Sequence, residues 1–212
     1  MKHWGKDILF TRRGLIAGAA GLLVAKAAGA STIATPRQTA GPFYPFIKPM
    51  DADADLTLLK GASGPAKGEV IEVTGRIFAL NGTPLEGAVV EIWQADSNGR
   101  YDHIFDFGSG TRDENFQGYG AARADDAGSY LFRTIRPKAY DTGLGQRTPH
   151  IHFRVTSEPA GELVTQMYFP GEGLNGQDFI LQGLESDAAR DAVTARAEEG
   201  AVPRFGFDLV LA

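Results

Sequence analysis

The chain has 212 residues, 43% of them hydrophobic and 22% charged, with no cysteine and a formal charge of −5. That length supports one domain with a full core and is short for two. The missing cysteines exclude disulfides and thiolate metal sites, and the acidic balance disfavours nucleic acid or an anionic membrane surface as partner.

Residues 1–30 combine Arg12–Arg13, an apolar run from Gly14 to Ala25 and an Ala28-Gly29-Ala30 end. This is the pattern of a twin-arginine signal peptide cut before Ser31, which predicts a periplasmic protein. The apolar run is too short to span a bilayer, so no membrane association is expected once the signal is removed. Its removal takes away five basic residues (Lys2, Lys6, Arg12, Arg13, Lys26) and Asp7, leaving 16 bases against 25 acids and a formal charge of −9. Residues 31–68 are rich in Pro, Gly and Ala and read as an extended arm over the body that follows.

From residue 69 to 212 the pattern is that of short strands. "EVIEVTGRIFAL" alternates and is β-branched, and Asn81-Gly82 supplies a turn. "AVVEIWQA", "SYLFRTI", "HIHFRVT", "LVTQMYF" and "FGFDLVLA" follow with the same character. Ser186–Glu199 reads as the one clear helix, with Ser186 as N-cap. The expected fold is mainly β: an antiparallel β-sandwich with loop additions and a single late α-helix.

The stretch "TPHIHF" carries two of the chain's four histidines. On a strand, residues i and i+2 share a face, so His150 and His152 project side by side while Ile151 and Phe153 point into a core. Two imidazoles do not close a coordination sphere, and this strand offers no carboxylate. His103 lies in a polar loop just after Tyr101. Six tyrosines are present, and Tyr101 and Tyr140 each follow a strand, where loops gather at one end of a sandwich. Ionising a phenol at neutral pH costs about 4 kcal/mol, which a hard trivalent cation can supply and a soft or monovalent one cannot. Tyrosines at a sandwich edge with satisfied hydroxyls remain the alternative, and these residues alone leave both readings open.

The blocks "GRIFALNGTPLEGAVVEIWQADSNGRY", "DDAGSYLFRTIRPKAY", "RTPHIHF" and "TQMYF" resemble, in order and spacing, the intradiol ring-cleavage dioxygenases. The resemblance runs from about Thr35 to the C-terminus. It implies a non-haem Fe(III) cofactor with Tyr101, Tyr140, His150 and His152 as metal ligands. It further implies that Tyr140 gives way to substrate and accepts a proton, that Arg147 stabilises negative charge developing on the ring, and that Gln166 positions the substrate. The substrates implied are dioxygen and a small aromatic diol of the catechol type, opened to a cis,cis-muconate. A homo-oligomer is compatible with it. The twin-arginine route carries folded cargo, so iron would be loaded before export. The groups that hold a substrate carboxylate have no clear match, and Arg37, Tyr44, His103 and Arg112 are the candidates. The competing expectation is a transthyretin-like binding or structural sandwich with an inactive metal site.

Overall fold

The computed structural model describes residues 33–158 and 160–212, so the segment on which the export expectation rests lies outside the described residues. Two sheets form the body. In the first, β1 (Val70–Ala79) is the hub, pairing antiparallel with β4 (Ser129–Ile135) along one edge. Its other edge takes two strands in succession, β10 (Arg204–Gly206) and then β11 (Leu209–Leu211), both parallel. The short β9 (Arg196–Glu198) extends this sheet antiparallel to β10. The second sheet is antiparallel throughout, in the order β3 (Tyr119–Arg123), β2 (Val89–Trp93), β7 (His150–Ser157), β8 (Gly161–Tyr168). A two-strand ribbon of β5 (Tyr140–Asp141) and β6 (Gln146–Arg147) sets Tyr140 opposite Arg147.

Alternation decides what each face of the second sheet carries. Val90 and Ile92 of β2, Ile151, Phe153 and Val155 of β7, and Leu163 and Met167 of β8 turn inward against Ile71, Val73, Ile77 and Phe132 of the first sheet. Complete burial of each such side chain stabilises the fold by roughly 1.5–3 kcal/mol. The other face carries Glu91, Trp93, His150, His152, Arg154, Gln166 and Tyr168, and it is largely buried as well. Part of its cover comes from residues 33–68. Backbone bonds tie Thr35 to Val210, Gln38 to Val164 and Leu56 to Arg133, and Phe43 and Tyr44 pack on Trp93 and Tyr101. A polar sheet face is thereby largely removed from solvent.

The late helix is shorter than the sequence suggests. α1 (Phe179–Gln182) is an additional turn of helix that the sequence reading did not anticipate, and α2 spans only Asp187–Ala192, capped by Ser186. Beyond Ala192 the chain turns to sheet pairing: Tyr168 N–H donates to Val193 O at 2.8 Å and Ala195 N–H to Tyr168 O at 2.8 Å. Val193 and Thr194 are β-branched, and edge pairing with burial of Val193 outweighs the helical spacing of the alanines. "FGFDLVLA" likewise forms two strands, because Asp208 leaves the ladder and accepts from the Arg76 N–H at 2.9 Å. β3, "YGAAR", has too few branched residues to announce itself as a strand.

Gly75 marks the close approach that makes this split possible. A Cβ built there would lie 1.9 Å from the Phe207 carbonyl oxygen and 2.8 Å from Tyr130 Oη. Gly75→Ala is expected to lower unfolding stability by about 1–3 kcal/mol or more, the range for overpacking, in chemical denaturation. A wild-type midpoint would show that the β1–β11 crossing tolerates a methyl group.

Candidate metal centre

Tyr101 reaches the site through a tight turn after β2. Asp96 Oδ1 accepts from the N–H groups of Asn98 (2.7 Å) and Arg100 (3.0 Å), and Asp106 Oδ2 accepts from the Tyr101 N–H at 2.6 Å. Gly99 sits in this turn at φ +81°, where a Cβ would be 2.9 Å from Ala139 O and 3.3 Å from Tyr140 Cβ. Only glycine lets the turn carrying Tyr101 close onto the segment carrying Tyr140. The two phenol rings meet edge-on at 5.4 Å.

The histidines arrive from β7. Trp93, the cross-strand neighbour of His152, stacks on it at 4.8 Å with the ring planes 8° apart. His150 Nδ1 lies 2.7 Å from Thr148 O; a carbonyl only accepts, so Nδ1 holds the proton and Nε2 presents a lone pair. That Nε2 is 3.2 Å from His152 Nε2 and 3.5 Å from Tyr101 Oη. His152 Nδ1 is buried with no partner. Tyr140 packs against His150 at 5.7 Å. The structure therefore brings Tyr101, Tyr140, His150 and His152 together. His103 stands apart, its ring among Phe43, Phe46 and Phe105.

Burial sets the protonation states. It pushes His150 down to about 3, helped by the charge of Arg147, and pushes His152 well below the ordinary range, helped by His150. Both imidazoles are neutral at physiological pH. Burial raises Tyr101 well above the usual phenol range, reinforced by Tyr140, and raises Tyr140 against the opposing pull of Arg147. Neither phenol ionises unaided. Among the described residues, no cluster of three or more His, Cys, Asp and Glu could hold a metal. The donor set consists of two neutral imidazoles and two phenols, and it fits a hard cation strong enough to ionise the phenols.

Arg147 is buried beside this cluster. Its Nε donates to Asp178 Oδ2 at 2.7 Å, and its Nη2 donates to Gln166 Oε1 at 2.6 Å and to Tyr168 Oη at 3.4 Å. Gln166 is held at both ends: Oε1 also accepts from Tyr168 Oη at 3.1 Å, and Nε2 donates to Thr39 O at 2.9 Å. Its Oε1 faces Arg147 rather than the neighbouring cleft. Asp178 is the residue the sequence reading missed. It caps α1 through Oδ1, accepts from the Thr148 N–H at 3.0 Å through Oδ2, and is fully buried. An Asp immediately before the apolar "FIL" run was the N-cap signal available. A cleft of about 840 Å³ opens onto the cluster, lined among others by Phe43, Tyr140, Arg147, His152 and Phe179.

A dioxygenase family model matches residues 40–212. The β chain of protocatechuate 3,4-dioxygenase from Burkholderia cepacia is 42% identical over 168 residues, 75% of this chain and 71% of that one. Catechol 1,2-dioxygenase from Acinetobacter baylyi is 30% identical over 84% of this chain, which spans 62% of that enzyme's length. Among solved structures, the dioxygenase domain of a carbohydrate-binding fusion protein from Streptomyces sp. SirexAA-E superposes with a TM-score of 0.64 at 28% identity, covering 84% of this chain and 98% of that one. Fold and matches together define a dioxygenase β-sandwich. The chain belongs to the intradiol ring-cleavage dioxygenase family and is an enzyme, an oxidoreductase. These matches favour catalysis over the binding-sandwich expectation.

The buried histidines make stability depend on pH. Between 6.5 and about 3 the unfolded chain binds a proton that folded His150 refuses. Its contribution is therefore fully present above 6.5 and is lost as pH falls through that window. Denaturation of metal-free protein between pH 7.5 and 5 should show falling stability, with a flatter profile in His150→Gln. A wild-type profile independent of pH would contradict the neutral, buried assignment.

Proposed function

We propose that Tyr101, Tyr140, His150 and His152 hold the family's non-haem Fe(III), and that the chain opens a catechol-type ring with dioxygen between its two hydroxyl-bearing carbons to give a cis,cis-muconate. The observation that carries this reading is that His152 Nε2 and Tyr101 Oη both lie within 3.5 Å of His150 Nε2, with Tyr140 alongside. When bound, the ferric ion supplies the Lewis acidity that ionises the phenols and activates the diol toward dioxygen.

The protein's own groups divide the remaining work. Tyr101 is buried and does not line the cleft, whereas Tyr140 is only partly buried and does. Tyr140 is thus the phenol a substrate reaches, and its Oη, once ionised by a bound cation, can take a proton from an entering hydroxyl. Arg147 borders the cleft with a fixed positive charge that stabilises negative charge developing on the ring. Gln166 acts as a positioning residue, since its Oε1 accepts from the guanidinium while its Nε2 donates to Thr39 O of the arm. Phe43, Phe105, Phe107 and Phe179 line an apolar entrance suited to a flat aromatic ring and poor for water. Identity to the β chain of a protocatechuate enzyme supports an acid-bearing catechol as substrate. The Arg12–Arg13 segment supports export to the periplasm by the twin-arginine route.

Iron content tests the ligand set. His150→Ala and His152→Ala should each weaken iron binding by about 10–100-fold or more, since loss of even outer-sphere support has effects of that size, while His103→Ala keeps its iron. Full occupancy in either of the first two variants contradicts the proposal. A wild-type protein carrying iron but taking up no oxygen with any catechol contradicts the activity.

Removing only the charge of Asp178 separates positioning from folding. Asp178→Asn leaves Arg147 buried without its counter-charge, a change that costs about 3–5 kcal/mol when a buried pair is broken. The expected result is a lower denaturation midpoint together with a drop in kcat at retained iron content. Unchanged kcat would remove Arg147 placement from the account.

A further inference from the structure

An acid-bearing substrate needs a cation for its carboxylate, because a buried unpaired charge is costly. None of the candidates suggested by the sequence lines the cleft. Arg37 donates to the Glu162 carbonyl, and Arg112 pairs with Asp102. Tyr44 Oη donates to Glu91 at 3.2 Å and accepts from Arg154 Nη1 at 2.9 Å. His103 is held among phenylalanines.

Three cations do line the cleft: Arg100, Arg147 and Lys138. Arg100 is spent, with Nε on Asp106 Oδ2 at 3.0 Å, Nη2 on Asp106 O at 3.0 Å and Nη1 on Gly110 O. Arg147 is committed to Asp178, Gln166 and Tyr168. The Lys138 ammonium has neither an ion pair nor a hydrogen bond among the described residues, and Lys138 is an exposed residue of the cleft lining. Its backbone is anchored all the same: the Lys138 N–H donates to Asp96 O at 3.2 Å, in the same turn that carries Tyr101. It lies two residues before Tyr140, so the backbone separation is at most about 7 Å, within the span of a lysine side chain and a benzene ring combined. Two acids line the cleft: Asp106, paired with Arg100, and Asp141, whose Oδ1 accepts from the Gly143 N–H at 2.7 Å.

We infer that the Lys138 ammonium recognises a carboxylate on the catechol ring, away from the reacting hydroxyls, and so sets the preference for acid-bearing over plain catechols. This rests on the reading of the site as a ring-cleaving centre. A compact ammonium on a flexible stem can follow the substituent as the ring enters, and a charge-assisted bond there stabilises the anionic substrate over the neutral one.

Two readouts test it on the iron-loaded full chain. Steady-state oxygen uptake gives the ratio of kcat/KM for protocatechuate to that for catechol. Lys138→Met should lower this ratio about tenfold, the effect of losing one charge-assisted hydrogen bond, through KM for protocatechuate, and Lys138→Arg should restore most of it. Asp141→Asn should raise the ratio. Calorimetry with 4-hydroxybenzoate and phenol, which are not turned over, should show the same loss of carboxylate selectivity in Lys138→Met. An unchanged ratio in an enzyme that cleaves catechols overturns the assignment, as does a wild type that opens catechol but not protocatechuate. If no catechol is consumed, the ring-cleaving reading fails instead, and equal binding of 4-hydroxybenzoate by wild type and Lys138→Met still overturns the role of Lys138.

Discussion

Two neutral imidazoles held 3.2 Å apart in a buried setting are the constraint on which the rest of the structure depends. Side by side on a solvent-facing strand they would be independent, exposed and free to protonate. Here Trp93 stacks along His152, Thr148 O fixes the tautomer of His150, and the arm closes over the sheet face. Burying four polar ring donors without full hydrogen-bond compensation is unfavourable, and His152 Nδ1 is left with no partner at all. A bound hard cation would offset that cost, because it turns the convergent lone pairs and raised phenols from a liability into a coordination sphere.

Around this pair the fold spends its other polar groups on rigidity. Arg147, Asp178, Gln166 and Tyr168 form one buried network that also reaches Gln38 and Thr39 of the arm and the first turn of α1. A buried ion pair of this kind is weak evidence for stability as such. Its value lies in geometry, since it fixes a guanidinium at the cleft wall from both β8 and the start of α1. A second set, Glu91 with Lys48, Tyr44, Tyr119 and Arg154, neutralises the remaining charge on the same sheet face further from the cleft.

Strand alternation makes the site partly legible in the sequence. "HIHF" alone sends His150 and His152 to one face and Ile151 and Phe153 to the core, and both placements are observed. The sandwich was legible for the same reason. What alternation could not show was that both faces of β7 would be buried, because the cover comes from residues far away in sequence. The helix at 186–199 was overread because Ala189, Val193 and Ala197 have helical spacing, while the edge of β8 that captures Val193 and Ala195 is a tertiary feature. The motif assigns Gln166 to substrate positioning only by resemblance, whereas its hydrogen bond to Arg147 is a tertiary feature that no motif displays. Asp178 and Lys138 carry roles that only the spatial juxtaposition of loops reveals.

The most direct test of the central claim is optical. Metal-free protein titrated with Fe(III) should develop a red-brown tyrosinate-to-iron charge-transfer band that saturates at one iron per chain, and Tyr101→Phe should change that band even with a catechol bound. Iron bound with no visible band, or a band indifferent to both Tyr101→Phe and Tyr140→Phe, would contradict the account.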